Sequence, residues 1–233
     1  MYSKADNNKF KDSKEIRILD AGCGAGNFGH VLQQALVSYG LLKSSKHPNR
    51  PEISVYGFDL CLHVLSFLSA SLKNSPPAPN FNLYNADDGK TQPLLCVDPT
   101  GDRESFRKAY EAASFDYVVS CDFLMQDPGN AMPGMRTFYD CFDLVKPGGT
   151  MMTFNTLAMT SPAVLAGYSA SLSVGRNGNK DERLLNNLKD SSVSVVRLPE
   201  QGTKLADNAP EVDRLQDEAA RIPVFAHSFV KKD

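Results

Sequence analysis

Four things are missing from this chain, and each absence excludes a class of function. No two of its five cysteines (Cys23, Cys61, Cys96, Cys121 and Cys141) form a CxxC pair, and the count is odd. That argues against a disulfide or zinc framework and for reduced thiols in a cytoplasmic protein. The four histidines stand far apart and no HExxH pattern occurs, so no metal site is expected. No basic tract is present. With a formal net charge of −2, the chain lacks the footprint of a protein that tracks a phosphate backbone, and no nucleic-acid partner is expected. No apolar run is long enough to span a bilayer, so no membrane partner is expected either. The opening segment, with Asn7, Asn8, Lys9, Lys11 and Asp12, has no apolar core and does not read as a signal peptide.

What is present is an alternation of strand-like and helix-like segments from Glu15 onward. The 233 residues are 42% hydrophobic, enough for one α/β core, and no linker divides them. Residues 1–14 read as a polar tail and 15–233 as one domain. Strands are predicted at Ile16–Asp20, Ile53–Phe58, Phe81–Asn85, Phe115–Ser120, Met151–Phe154, Val193–Arg197 and Val224–Val230. Between them, Phe28, Val31, Leu32, Ala35, Leu36 and Tyr39 recur at helical spacing, as do Val64, Phe67, Leu68 and Leu72. Phe106, Ala109, Tyr110 and Ala113 mark a third helix. A fourth carries Met135, Phe138, Tyr139, Phe142 and Val145. Further helices are expected at Ala163–Leu172, around Leu184–Leu188, and from Pro210. Lys146-Pro147-Gly148-Gly149 suits a type II turn. The last two strands have no long apolar helix between them and should pair as a hairpin-like unit.

Asp20-Ala-Gly22-Cys23-Gly24-Ala-Gly26 lies directly after a strand and before a helix. Its glycines let the backbone turn tightly and let a ligand come close. The helix N-terminus behind them favours a ligand carboxylate or phosphate. The acid at the strand end favours an amino group. A ligand with both is an amino acid, and the methionine part of S-adenosylmethionine (SAM) is one. The same loop also contains Gly24-Ala-Gly26-Asn-Phe-Gly29, a GxGxxG, so by itself it does not choose between SAM and NAD. Asp59 ends the second strand, where its carboxylate can accept bonds from ribose hydroxyls, each worth about 1.5–3 kcal/mol. Both ligands would use it. Asp87 and Asp88 end the third strand, where one of them can reach an adenine amino group; turn acids before Gly89 are the other reading. Cys121, Asp122 and Gln126 follow the fourth strand, beside the crevice where strand order reverses.

Together these residues resemble the class I SAM-dependent methyltransferases. The resemblance rests on Asp20-x-Gly22-x-Gly24-x-Gly26, Asp59, the aspartates after the third strand, Phe115-Asp-Tyr-Val-Val-Ser120, and Lys146-Pro-Gly-Gly149. It covers roughly residues 15–155 by motif. It implies a three-layer α-β-α sandwich around a mostly parallel seven-stranded sheet, in the order 3-2-1-4-5-7-6 with the last strand antiparallel. It implies SAM as cofactor, with Asp20, Gly22, Cys23, Gly24 and Gly26 around the methionine part. Asp59 would hold the ribose, Leu60 would line the adenine, Asp87 would reach its amino group, and Cys121 and Asp122 would lie near the sulfonium. Two departures stand out. The substrate-covering N-terminal helices of many relatives are nearly absent, and insertions occupy 89–114 and 199–221. The segment after the fourth strand reads Cys121-Asp-Phe-Leu124, not the Asn-Pro-Pro-Tyr of nucleic-acid amino methylation.

Methyl transfer to oxygen or nitrogen needs alignment and a proton acceptor. Asp127 is the first candidate and Asp122 the second, although both also read as ordinary loop acids. Gln126, Asn155 and Tyr168 are candidate contacts to the acceptor substrate. His227, alternating with Phe225 and Phe229, reads as a packed core residue, and His63 borders the adenine site on weaker grounds. A small-molecule acceptor is the leading expectation. A protein acceptor, a SAM-binding subunit without turnover and an NAD(P)-dependent oxidoreductase are the alternatives.

Overall fold

A computed structural model describes residues 14–86, 89–99, 101–121, 131–156, 188–196 and 224–233. β1 (Glu15–Ala21), β2 (Glu52–Asp59), β3 (Phe81–Leu83), β4 (Leu94–Cys96), β5 (Phe115–Cys121), β6 (Val145–Thr156), β7 (Leu188–Val196) and β8 (Val224–Lys231) form one sheet. Its order is β3-β2-β1-β5-β6-β8-β7, with β4 also paired to β2. β1, β2, β3, β4, β5 and β6 run parallel, while β8 is antiparallel to both β6 and β7. The implied order therefore stands across seven positions, with one strand more than expected. β3 pairs with the first half of β2 and β4 with the second half, so Gly57 faces Leu94 and Asp59 faces Cys96.

The two faces of the sheet bury different side chains. On β1, Ile18 packs to one face and Leu19 and Ala21 to the other. On β2, Ile53 and Val55 oppose Tyr56 and Phe58, as a two-residue period requires. α1 (Asn27–Ser38) and α2 (Leu62–Asn74) cover the first face through Phe28, Leu32, Leu65 and Leu68. α3 (Arg103–Ala109) and α4 (Ala131–Asp143) cover the second through Phe106, Phe138 and Phe142. That second face is aromatic. Phe58 and Phe106 meet edge to face at 4.9 Å, Tyr110 and Phe115 at 5.7 Å, and Phe138 and Phe229 at 5.1 Å. Such edge-on pairs add about 0.5–1.5 kcal/mol each beyond area burial. The three-layer sandwich follows from these two cores.

Several expectations need correction: the third helix ends at Ala109, short of Ala113, and Val145 opens β6 instead of belonging to the fourth helix. Lys146–Gly149 does not precede its strand but is extruded from within β6. The register jumps from Phe115–Val145 to Tyr117–Thr150, and Gly148 takes the positive φ (66°) foreseen for a type II turn. Asp116 clamps the bulge, accepting bonds from the Lys146 ammonium (2.8 Å) and the Arg17 backbone N–H (2.9 Å). Gly149 is obligatory, because a Cβ there would lie 2.8 Å from the Asp116 carbonyl oxygen. The predicted third strand is also shorter than expected. It stops at Leu83 because Tyr84 turns into the left-handed region (φ 50°). The expected last strands are present and longer, so that Leu188 begins β7 rather than ending a helix. The helices expected at Ala163–Leu172 and from Pro210 lie outside the described residues.

Candidate functional site

β1 lies between β2 and β5, so the chain leaves it toward one side for β2 and returns on the other for β5. At such a reversal of strand order, open α/β sheets leave a crevice beyond the strand ends. The glycine turn occupies its floor. Gly22, Gly24 and Gly26 all have positive φ (73°, 51° and 80°), which L side chains rarely adopt. The amides of Gly22 and Cys23 donate to the Phe58 carbonyl at 3.0 and 2.9 Å, tying the turn to the end of β2. A Cβ on Gly24 would meet nothing within 4 Å. The turn therefore opens onto free space at its apex. α1 starts directly behind it, with Gly26 as a left-handed N-cap and no capping side chain, so ligand oxygens can take up its first-turn N–H groups.

Asp59 joins the two predicted halves of the site. Its Oδ2 accepts the Gly24 N–H at 3.0 Å and its Oδ1 accepts the Cys61 N–H at 2.9 Å. The carboxylate thus fixes the turn against the tip of β2, and each oxygen retains a lone pair for a further donor. Leu60, beside it, is 61% exposed, an apolar side chain that a flat ring would cover. Cys121 ends β5 exposed, two strands away from Asp59. Asn155 lies near the end of β6, opposite Phe225 of β8. His227 sits within β8, opposite Thr153 and Val193. Asp87, Asp88, Asp122, Gln126, Asp127 and Tyr168 lie outside the described residues. Among the described residues no cluster of three metal-ligating side chains occurs, and no helix is long and apolar enough to cross a membrane. None of the five cysteines is in a disulfide.

Asp20 behaves differently from a plain strand-end acid. It is only 1% exposed, and its Oδ2 accepts a 2.6 Å hydrogen bond from the Tyr84 hydroxyl. Burial first, against the lowering effect of the Tyr84 bond and with a smaller push from the nearby Asp59 charge, raises its pKa to about 7. Tyr84 escaped the reading of the sequence, where Phe81–Asn85 passed as a uniform strand. Strand alternation would turn residue 84 away from Phe81 and Leu83, whereas its positive φ lets it pack in the same cluster as both. β4 escaped as well, although Leu94-Leu-Cys-Val97, bounded by Pro93 and Asp98-Pro99, is a short apolar run of strand type. It braces the site from below, where the Val97 N–H donates to the Asp59 carbonyl at 3.0 Å.

No protein-family model matches the chain, and no curated protein does. Solved structures match over nearly its whole length. One is the CurJ carbon methyltransferase, at TM-score 0.51 and 12% identity, covering 97% of this chain and 50% of that one, so this chain spans about half of its length. Another is a SAM-dependent methyltransferase of Methanosarcina mazei, at TM-score 0.50 and 14% identity, covering 95% of both chains. A third is the cyclase SpnF, at TM-score 0.50 and 14% identity, covering 94% of this chain and 76% of that one. With its strand order and its glycine turn at the point of reversal, the chain has the Rossmann-like fold of the class I SAM-dependent methyltransferases.

Proposed function

We propose that the chain is a SAM-dependent methyltransferase that methylates an oxygen or nitrogen nucleophile of a small molecule. The observation that carries this reading is the Asp59 bridge. A carboxylate at the tip of β2 holds the apex of a glycine turn, at the one level where a Cβ on Gly24 would meet open space. The residues present fit the donor. The start of α1 offers N–H groups to an amino-acid carboxylate, Asp20 offers negative charge beneath the turn, Asp59 offers its spare lone pairs to ribose, and Leu60 offers an apolar face to adenine. Asp87 and Asp88 are proposed for the adenine amino group, and Cys121 for the neighbourhood of the sulfonium. The donor supplies an activated methyl group on a sulfonium leaving group. The chain's part is to align the nucleophile, exclude water and take a proton. Asp127, and after it Asp122, are the proposed proton acceptors, since both follow β5, whose Ser120 pairs with Ala21 at the tip of β1. Gln126, Asn155 and Tyr168 are the proposed contacts to the acceptor. The charge of −2 and the absence of a basic tract support a small acceptor over nucleic acid, and five cysteines without a disulfide are in keeping with a cytoplasmic protein.

One observation favours a second reading. SpnF, named as a cyclase, has the same fold at a similar score, so this scaffold also serves chemistry other than methyl transfer. Calorimetry with SAM, S-adenosylhomocysteine and NAD tests the donor class. The first two should bind, with dissociation constants on the order of micromolar, and NAD should not. NAD binding alone would discard the reading. Incubating cell extract with methyl-labelled donor then tests the reaction, and label should enter the small-molecule fraction. Asp127→Asn and Asp122→Asn, run alongside, identify the proton acceptor, and unchanged labelling by either variant removes that residue from the role.

A further inference from the structure

Three glycines around the site leave space that Tyr84 shares with Leu68, Leu83 and Cys23. A Cβ on Gly29 would lie 2.7 Å from the Tyr84 hydroxyl and 3.0 Å from its ring. A Cβ on Gly57 would lie 2.9 Å from the ring, and one on Gly26 would lie 3.1 Å from it. Tyr84 thus enters from the end of β3, through a gap cleared in α1, β2 and the glycine turn, and delivers its hydroxyl to Asp20. Its own backbone sits at φ 50°, a conformation that costs a bulky residue energy and persists only where the surroundings enforce it. Burial and the Asp20 charge push the Tyr84 hydroxyl far above its usual range, so it keeps its proton and acts as the donor in that bond.

We propose that Tyr84 is the positioning residue of the donor site: it holds the Asp20 carboxylate beneath the glycine turn, where the negative charge attracts the ammonium end of the donor. The inference rests on the donor reading given above. Direct contact is not required. Asp20 itself is buried, and a charge in such surroundings acts across several ångströms. The charge of Asp20 already raises the pKa of Cys23, in the middle of the turn, after burial has done so.

The titratable groups acting on Asp20 among the described residues are Tyr84 at the end of β3 and Asp59 at the end of β2, while Cys23 in the turn is itself acted on by Asp20. Its register partners on β2 and β5, Gly57 and Val119, do not titrate. Ionised Asp20 favours an ammonium. Donor affinity should therefore fall as pH drops through about 7, the value to which burial raises this acid. Loss of the Tyr84 bond removes a group that stabilises the ionised form and moves that fall to higher pH.

The test is calorimetry on the full chain and on Tyr84→Phe across the pH range, with two probes. SAM carries the ammonium; methylthioadenosine carries the nucleoside without the amino acid. The ammonium of SAM itself titrates near about pH 8, so the acid limb of the profile is read. For the wild type, SAM affinity should fall on the acid side while methylthioadenosine affinity stays flat. In Tyr84→Phe the acid limb should move up by about one pH unit and peak SAM affinity should fall about tenfold, with methylthioadenosine unchanged. Identical SAM profiles for the two proteins would overturn the inference. So would loss of both probes together in the variant, which marks Tyr84 as packing alone. If the wild type binds neither probe, the donor reading fails instead. Should Tyr84→Phe not fold, Asp20→Asn answers the same question. It should bind SAM weakly with no acid limb, and a retained acid limb would overturn the proposal.

Discussion

A glycine is legible in a sequence, but the reason for it is not. Gly22, Gly24 and Gly26 signalled a ligand turn, and Gly24 does open onto free space. Gly26 is different, because a Cβ there would strike Leu68 at 2.6 Å and crowd Tyr84, so its smallness serves the protein's own packing too. Asp59 was legible as a strand-end acid, but its grip on the Gly24 amide was not, since a hydrogen bond between residues 35 apart follows only from topology. Asp20 carries the sharpest prediction at this scale. Its pKa is raised on folding to about 7, so the stability linked to its protonated form is present below the unfolded value of about 3.9 and is lost as pH rises through about 7. Asp20→Asn keeps an acceptor oxygen for Tyr84 and has no proton to lose. In urea unfolding at about pH 8 it should be more stable than the wild type by roughly 1–3 kcal/mol, with the difference vanishing in acid. Equal stabilities at both pH values would show that Asp20 ionises freely in the folded chain.

Helices and strands were read best where periodicity is strong. α1 and α2 fall within two residues of their apolar stripes. α4 starts earlier than its stripe, at Ala131, and Pro133 fits there because the first turn has no intrahelical use for its missing N–H. The short α3 depends on more than its own sequence. Asp102 caps it by accepting the Ser105 N–H at 3.1 Å. Arg103 and Arg107 then both fork onto Asp140 of α4, with contacts of 2.6–3.1 Å. Asp140 is buried, and although burial opposes its ionisation, the two guanidinium groups hold its pKa below the usual carboxylate value. No helix-by-helix reading finds such a clamp, because its members lie on two elements. Asp140→Ala should lower stability by roughly 2 kcal/mol in urea unfolding at neutral pH. That is less than the ~3–5 kcal/mol of a fully buried pair, because the two arginines, 36% and 54% exposed, can return to water. The deficit should shrink as pH falls through the carboxylate range, where the wild-type aspartate takes up its proton. A deficit that is the same in acid would mean that packing, not charge, joins α3 to α4.

For the molecule as a whole, strand order was the most legible property, because the alternation of elements and the closing pair of strands leave few right-handed alternatives. The additional β4 escaped because three residues carry too little pattern to register. β8 is what completes the sheet. It pairs with β6 from Thr150–Val230 to Thr156–Val224 and with β7 on its other side. Phe229 enters the aromatic core against Phe138. The Lys231 ammonium donates to the carbonyls of Phe142, Asp143 and Val145, which closes the C-terminal end of α4. Removing residues 224–233 should therefore abolish cooperative thermal unfolding, read by circular dichroism. A truncated chain that melted at the wild-type temperature would show that β6 and α4 stand without β8. The same placement bears on synthesis. A ribosome releases β8 after both of the strands it joins, so until it emerges β6 waits with an open edge and β7 without its described neighbour. During that interval the nascent chain is at its most vulnerable to pairing with the wrong strand.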